Sequence, residues 1–308
     1  CSIRKNDLGS SLRLANLYSA IGKYDRAHIQ FQSILVHAPA NLDALYGRGL
    51  CWYRMGVWKE ALKFFNHCLS ISVNHYPSYL RLSEVQEQLQ LYDDAIHTLN
   101  VAISYDTSIP GIYRTLGRIH IHRAQNAWIT YTELQSEENN KREKARLASE
   151  QLSQVVYDSD DEESKKQNNK LTRHLATQAL NISTKAAAEL REHEENKIKN
   201  LNHIKQCLQL SLDALSMAIS QNENDAESHY LIAYVHLFLL GNRTRDLTIC
   251  SKMLDKAILL NENYSSALFL RSFLYLRDNN LDSAYNCLEL CLSSTPDHVL
   301  ALQSKAYI

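Results

Sequence analysis

The chain has 308 residues, with 33 Lys and Arg against 34 Asp and Glu and a net charge of −1, so it lacks the overall basic field that drives nucleic-acid binding. Its 8 Gly and 4 Pro are too few to punctuate many strands and tight turns, and neither type occurs between Gly117 and Gly241; the composition predicts an almost wholly α-helical protein. No apolar run reaches the length of a membrane span, the longest being the interrupted segment from Tyr230 to Leu240, and the opening CSIRKND is not a secretory signal.

In chain order, the first signal is a repeat. Ala27, Ala61 and Ala95 stand in the related phrases DRAHIQF, KEALKFF and DDAIHTL, at intervals of 61−27=34 and 95−61=34. That period denotes stacked helical hairpins, each with a first helix A and a second helix B. The first repeat, about 8–41, places Leu14, Ala15, Tyr18, Gly22 and Tyr24 ahead of Ala27, and Phe31, Ile34 and Pro39 behind it. The second, 42–75, has Gly49, Trp52, Gly56, Trp58 and Phe65 at matching places, and the third, 76–109, has Leu82, Ser83, Tyr92, Leu99 and Ala102. A fourth helix A follows with Tyr113, Leu116 and Gly117, but the helix B expected after it has lost the pattern.

From Asn126 the sequence is charged and helix-prone until DSDDEESKKQNN at 158–169, which has no apolar residue to bury and predicts a disordered acidic tip. A second long helical stretch carries Leu171, Leu175, Ala179, Ile182, Ala186 and Leu190 at helical spacing and ends in CLQLSLDALSMAISQNEND, which reads as a helix B. Residues 126–205 are therefore expected to form an elongated helical hairpin inserted into the array. A coiled-coil arm is the related reading, although the apolar spacing is too irregular for heptads. The array resumes at 206–308: AESHYLIAYVHLFLLG is a helix A, GNRTRDLT a turn about five residues longer than usual, and 265–298 a full repeat with Ser272, Tyr275, Ala284, Leu288, Cys291 and Pro296. The start on Cys1 and the end at Ile308, midway through another helix A, suggest a piece of a larger protein whose array continues.

These residues resemble the tetratricopeptide repeat, strongly over 8–125, moderately over 206–308 and poorly between. The resemblance implies an all-α, right-handed superhelix of helix-turn-helix repeats whose A helices line a concave groove. It also implies a function: non-enzymatic binding of a partner protein or peptide, within a larger multisubunit assembly. The alternative is a regulatory region of a larger enzyme whose catalytic domain lies elsewhere. The family's groove positions fall on Asn16, Tyr46, Tyr53, Arg54, Glu84, Glu87, Arg114 and Arg118 in the N-terminal half, with Arg81 one place along, and on Tyr230, Tyr234, Leu237, Phe238, Phe269, Phe273 and Leu276 in the C-terminal half. The first set is polar with basic points and the second is aromatic, the usual chemistry of binding anchors. Co-chaperones of this family hold an acidic chaperone tail with five side chains. The matching places here are Leu12, Asn16, Gly47, Pro77 and Arg81, so both lysines are gone and chaperone C-terminal tails are not expected as ligands.

Enzyme chemistry finds no foothold: there is no GxGxxG, P-loop, HExxH or GxSxG. The seven Cys lack paired spacing and read as buried hydrophobes in a reducing, cytoplasmic setting, with nuclear or ciliary placement compatible; no metal and no cofactor is expected. Ser159, followed by four acidic residues, resembles an acidophilic kinase site and is a candidate phosphorylation site. No nucleic-acid or membrane partner is expected.

Overall fold

The structure, a computed structural model, describes residues 5–157, 164–238 and 244–308. The described residues form helices and connecting turns only. In order they are α1 (Lys5–Ala20), α2 (Tyr24–His37), α3 (Leu42–Arg54), α4 (Trp58–Ile71), α5 (Tyr76–Gln88), α6 (Tyr92–Tyr105), α7 (Ile112–Tyr157), α8 (Ser164–Gln221), α9 (Ala226–Phe238), α10 (Thr244–Leu260), α11 (Ser265–Arg277), α12 (Leu281–Ser294) and α13 (Val299–Tyr307). They divide into two compact units, one of residues 1–122 with 208–308 and one of residues 123–207.

The first unit is the repeat array, and its core follows from a few positions per repeat. Helix B of each full repeat buries a small residue, a large apolar one four places on, and a third residue three places further. In four repeats these are Ala27, Phe31 and Ile34; Ala61, Phe65 and Cys68; Ala95, Leu99 and Ala102; and Ala284, Leu288 and Cys291, all no more than 1% exposed. Spacings of four and three put the three side chains on one helix face. Burial of rings such as Phe31 and Phe65 stabilises the stack by about 2–3 kcal/mol each. Facing them, helix A offers a small residue at the crossing: Ala15, Gly49, Ser83, Gly117, Ala233 and Ser272. Gly49 shows why, since a Cβ there would lie 2.8 Å from Cε1 of Phe65. Where serine serves instead, its hydroxyl donates to the carbonyl three residues back, Ser83 to Leu80 at 2.8 Å and Ser272 to Phe269 at 2.6 Å, so no buried polar group is left unpaired. The A-to-B turns pass through the left-handed region at equivalent places: Gly22 (φ 81°), Gly56 (φ 75°), Gln90 (φ 61°) and Asn279 (φ 57°).

The fourth repeat has a helix B after all, but it is far away in sequence. Its helix A is the start of α7 and its helix B is the end of α8. A Cβ on Gly117 would meet Cγ of Leu215 at 2.7 Å and the Ser211 carbonyl oxygen at 3.3 Å, just as Gly49 meets Phe65. Gly49 and Phe65 are 65−49=16 apart, whereas Gly117 and Leu215 are 215−117=98 apart. Helix B thus carries Ser211, Leu215 and Ala218 at the three core places. The helix B that is missing just after Gly117 is the segment CLQLSLDALSMAISQNEND, whose own pattern reads as a helix B, with Ser211 where other repeats have Ala.

The second unit, 123–207, is made of the outer parts of α7 and α8. Glu138, with its side chain 4% exposed, accepts from Lys197 Nζ across the two helices at 2.8 Å and from Arg142 one turn along at 2.5 Å. Lys141 and His193 are 2.7 Å apart. Of the acidic tip expected over 158–169, residues 164–169 are helical, because α8 begins at Ser164, and 158–163 lie outside the described residues. Residues 164–169 lack apolar side chains, but Lys and Gln are good helix formers and the segment continues directly into a long helix. Ser159 lies outside the described residues.

Candidate functional site

The A helices of the first unit carry three adjoining hollows along one face. The first, of 460 Å³, is lined by Asn16, Ser19, Tyr24, Tyr46, Leu50, Arg54 and Arg81. The second, of 480 Å³, shares Tyr46 and Arg81 and adds Glu84, Asp106 and Arg114. The third, of 460 Å³, shares Arg114 and is closed by Gln221 at the end of α8 and by Asn222 and Asp225 in the turn that follows. Asn16, Tyr46, Arg54, Arg81 and Arg114 stand on A helices, Tyr24 opens a helix B, and Asp106 and Asp225 stand in the turns that lead from one repeat to the next.

The arginines are mostly committed to carboxylates. Arg81 Nη1 lies 2.5 Å from Glu84, and its guanidinium carbon is 5.8 Å from the centre of the Tyr53 ring. Burial alone would lower the pKa of Arg81, but the Glu84 carboxylate and the Tyr46 hydroxyl outweigh it and the net direction is up. Burial likewise pushes the Tyr46 and Tyr53 phenols upward, with Arg81 opposing it in both. Arg114 binds Asp225 at 2.9 Å and Glu227 at 3.4 Å, joining the start of α7 to the start of α9. Arg118 Nη2 is 3.1 Å from Glu87, a carboxylate 5% exposed that also meets His122 Nδ1 at 2.6 Å. Arg54, exposed in the last turn of α3, has no carboxylate partner among the described residues.

The aromatic half is placed differently from a four-ring exposed patch. Tyr230 is half-buried, with Tyr234 at 6.3 Å and the edge of Tyr264 at 5.2 Å, and burial pushes both the Tyr230 and Tyr264 phenols up. Phe269 packs beside Leu268, Leu288 and Ala301 and stacks on His298 at 4.9 Å. Phe273 is 45% exposed. Leu237, expected in the groove, is 7% exposed in the core with Ala233, Cys250 and Leu254, because it stands one helical turn after the crossing residue Ala233 and shares its buried face.

Sequence reasoning missed the carboxylates that neutralise Arg114. Asp225 and Glu227 follow helix B of the fourth repeat, and only the displaced pairing of that repeat brings them to α7; recognising Ser211 and Leu215 as its core residues would have revealed it. Among the described residues no group of three His, Cys, Asp or Glu could hold a metal ion, and no helix is long and apolar enough to cross a membrane. None of the six described cysteines is in a disulfide; all are buried except half-buried Cys287.

Models of the tetratricopeptide repeat match residues 12–67 and 265–298. No curated protein matches the chain in sequence. Among solved structures, PilW, described as a widely conserved type IV pilus biogenesis factor, superposes with a TM-score of 0.59 at 12% identity, covering 98% of this chain and 99% of its own. PilF of Pseudomonas aeruginosa gives 0.57 at 11% identity, covering 98% and 97%. A fragment of MamA from Desulfovibrio magneticus gives 0.50 at 11%, covering 85% and 99%. At such identities the likeness is one of fold.

Proposed function

For a chain that belongs to the tetratricopeptide-repeat superfamily, we propose that it is a non-enzymatic interaction scaffold gripping an extended or helical segment of a partner protein along its A-helix face. The observation that carries this reading is the row of three adjoining hollows, which together offer a path several residues long. Asn16 and Arg54 stand exposed there, while Tyr24, Tyr46 and Leu50 pack against the repeat cores and form the walls of the first hollow. Tyr24, Tyr46, Tyr76, Arg54, Arg81 and Arg114 are among the lining residues, and aromatic and guanidinium groups are the usual energetic anchors of interfaces. A place within a larger assembly, in a cytoplasmic setting, belongs to the same proposal.

Site-specific photocrosslinking tests it. A photoreactive side chain at exposed Asn16 or Arg54 is expected to capture a partner from cell extract, and the same group at exposed Lys63, outside the hollows, is not. Equal capture from all three positions, or capture from Lys63 alone, would place the binding surface elsewhere.

A further inference from the structure

The three hollows differ in charge. The second has Glu84 and Asp106 in its wall beside Arg81 and Arg114, and the third has Asp225 beside Arg114. In each, cations and anions are already matched within the protein. The first hollow is lined by two guanidiniums, Arg54 and Arg81, and by no carboxylate. Glu84 holds Arg81 from the side of the neighbouring hollow, so part of that charge is answered; Arg54 has no such partner among the described residues. The remaining polar lining is the Asn16 amide and the hydroxyls of Ser19, Tyr24 and Tyr46, all able to donate hydrogen bonds. Leu50 adds an apolar wall.

From this asymmetry we infer that the first hollow is the subsite for an anionic side chain of the bound segment, a carboxylate or a phosphate, with Arg54 supplying the counter-charge. The inference rests on the groove reading above. A planar guanidinium offers two parallel donors to such a group, and hydroxyls beside it complete the shell without bringing opposing charge. The second and third hollows, already neutral, take uncharged residues of the same segment. The anion therefore fixes the register in which the segment lies, since displacement by one hollow would set it against Glu84 and Asp106.

The test uses the full chain and a displayed library of random dodecapeptides. Enriched peptides are expected to share one Asp or Glu position. Replacing that residue with Ala, or changing Arg54→Gln in the protein, weakens binding about tenfold, while Asn or Gln at the peptide position fails to restore it. A phosphoserine version of the same peptide separates the two anion classes: tighter binding assigns a phosphate site, weaker binding a carboxylate site. Binding also falls as salt is raised. Groove-dependent peptides with no acidic position, or an acidic position indifferent to Arg54→Gln, overturn the anion subsite alone. Peptides indifferent to substitutions at Asn16, Tyr46 and Arg114 as well, or no enrichment at all, overturn the groove reading itself.

Discussion

At the scale of single residues, Ser211 stands out because its hydroxyl is buried without a hydrogen-bond partner among the described residues. Four other repeats place Ala27, Ala61, Ala95 and Ala284 at the equivalent position. Removing an unpaired buried hydroxyl relieves its desolvation cost, so Ser211→Ala is expected to raise stability by about 1 kcal/mol, read from urea titration. The two phenylalanines of α11 should behave in opposite ways. Phe273→Ala leaves the melting temperature nearly unchanged because the ring is 45% exposed, whereas Phe269→Ala costs about 2 kcal/mol by opening the cluster with Leu288 and Ala301; circular dichroism melts separate them. Burial holds the thiols of Cys51 and Cys250 at about 11, above an ordinary 9.0. A raised folded pKa means the associated stability is full below pH 9 and is lost as the pH climbs toward 11, because only the unfolded thiols ionise freely. Alkylation of these two thiols at pH 8 should accordingly be slow in the native protein and fast in denaturant.

The elements show what the sequence could and could not disclose. The period was legible at Ala27, Ala61 and Ala95 because those sites, fully buried against a crossing helix, tolerate almost nothing else. Asn16, Tyr46, Arg54 and Arg81, which line one hollow, were singled out through the resemblance to the repeat family, whose groove positions recur at fixed places in each helix A. The segment ending α8 also read as a helix B, but its pairing with Gly117 was not legible, because pattern matching at the regular period looks just after Gly117, while the partner stands beyond 123–207 and bears Ser211 in place of alanine. Nor was the pairing of Arg114, whose carboxylates Asp225 and Glu227 arrive from 225−114=111 and 227−114=113 residues away. Gly117 provides the direct check on this displaced pairing. Gly117→Leu would drive a side chain into Leu215 and the Ser211 carbonyl, and is expected to cost at least about 1–3 kcal/mol by thermal melt, although the substitution favours helix locally. A neutral or stabilising result would mean that the two helices do not cross there.

For the molecule as a whole, the insertion falls inside one repeat. The repeat array stops at His122 and resumes at Leu208, and these are the places where every regular repeat has only a three-residue turn, such as Met55-Gly56-Val57. Replacing 123–207 by that tripeptide should restore a 34-residue fourth repeat in an array that melts cooperatively with a helical spectrum; an aggregated or unfolded product would show that the second unit is needed for folding. The location also has a kinetic consequence. Regular crossings join residues 16 apart, but Gly117 must find Leu215 at 98, between two and three doublings of the loop. At about 0.6 kcal/mol per doubling, closure costs about 1.6 kcal/mol more there than elsewhere. Residues 8–109 can therefore zip by short-range steps while the fourth crossing waits for the ends of α7 and α8 to meet, which makes this junction the last to form, the first to open, and the place where an otherwise linear chain folds in two stages.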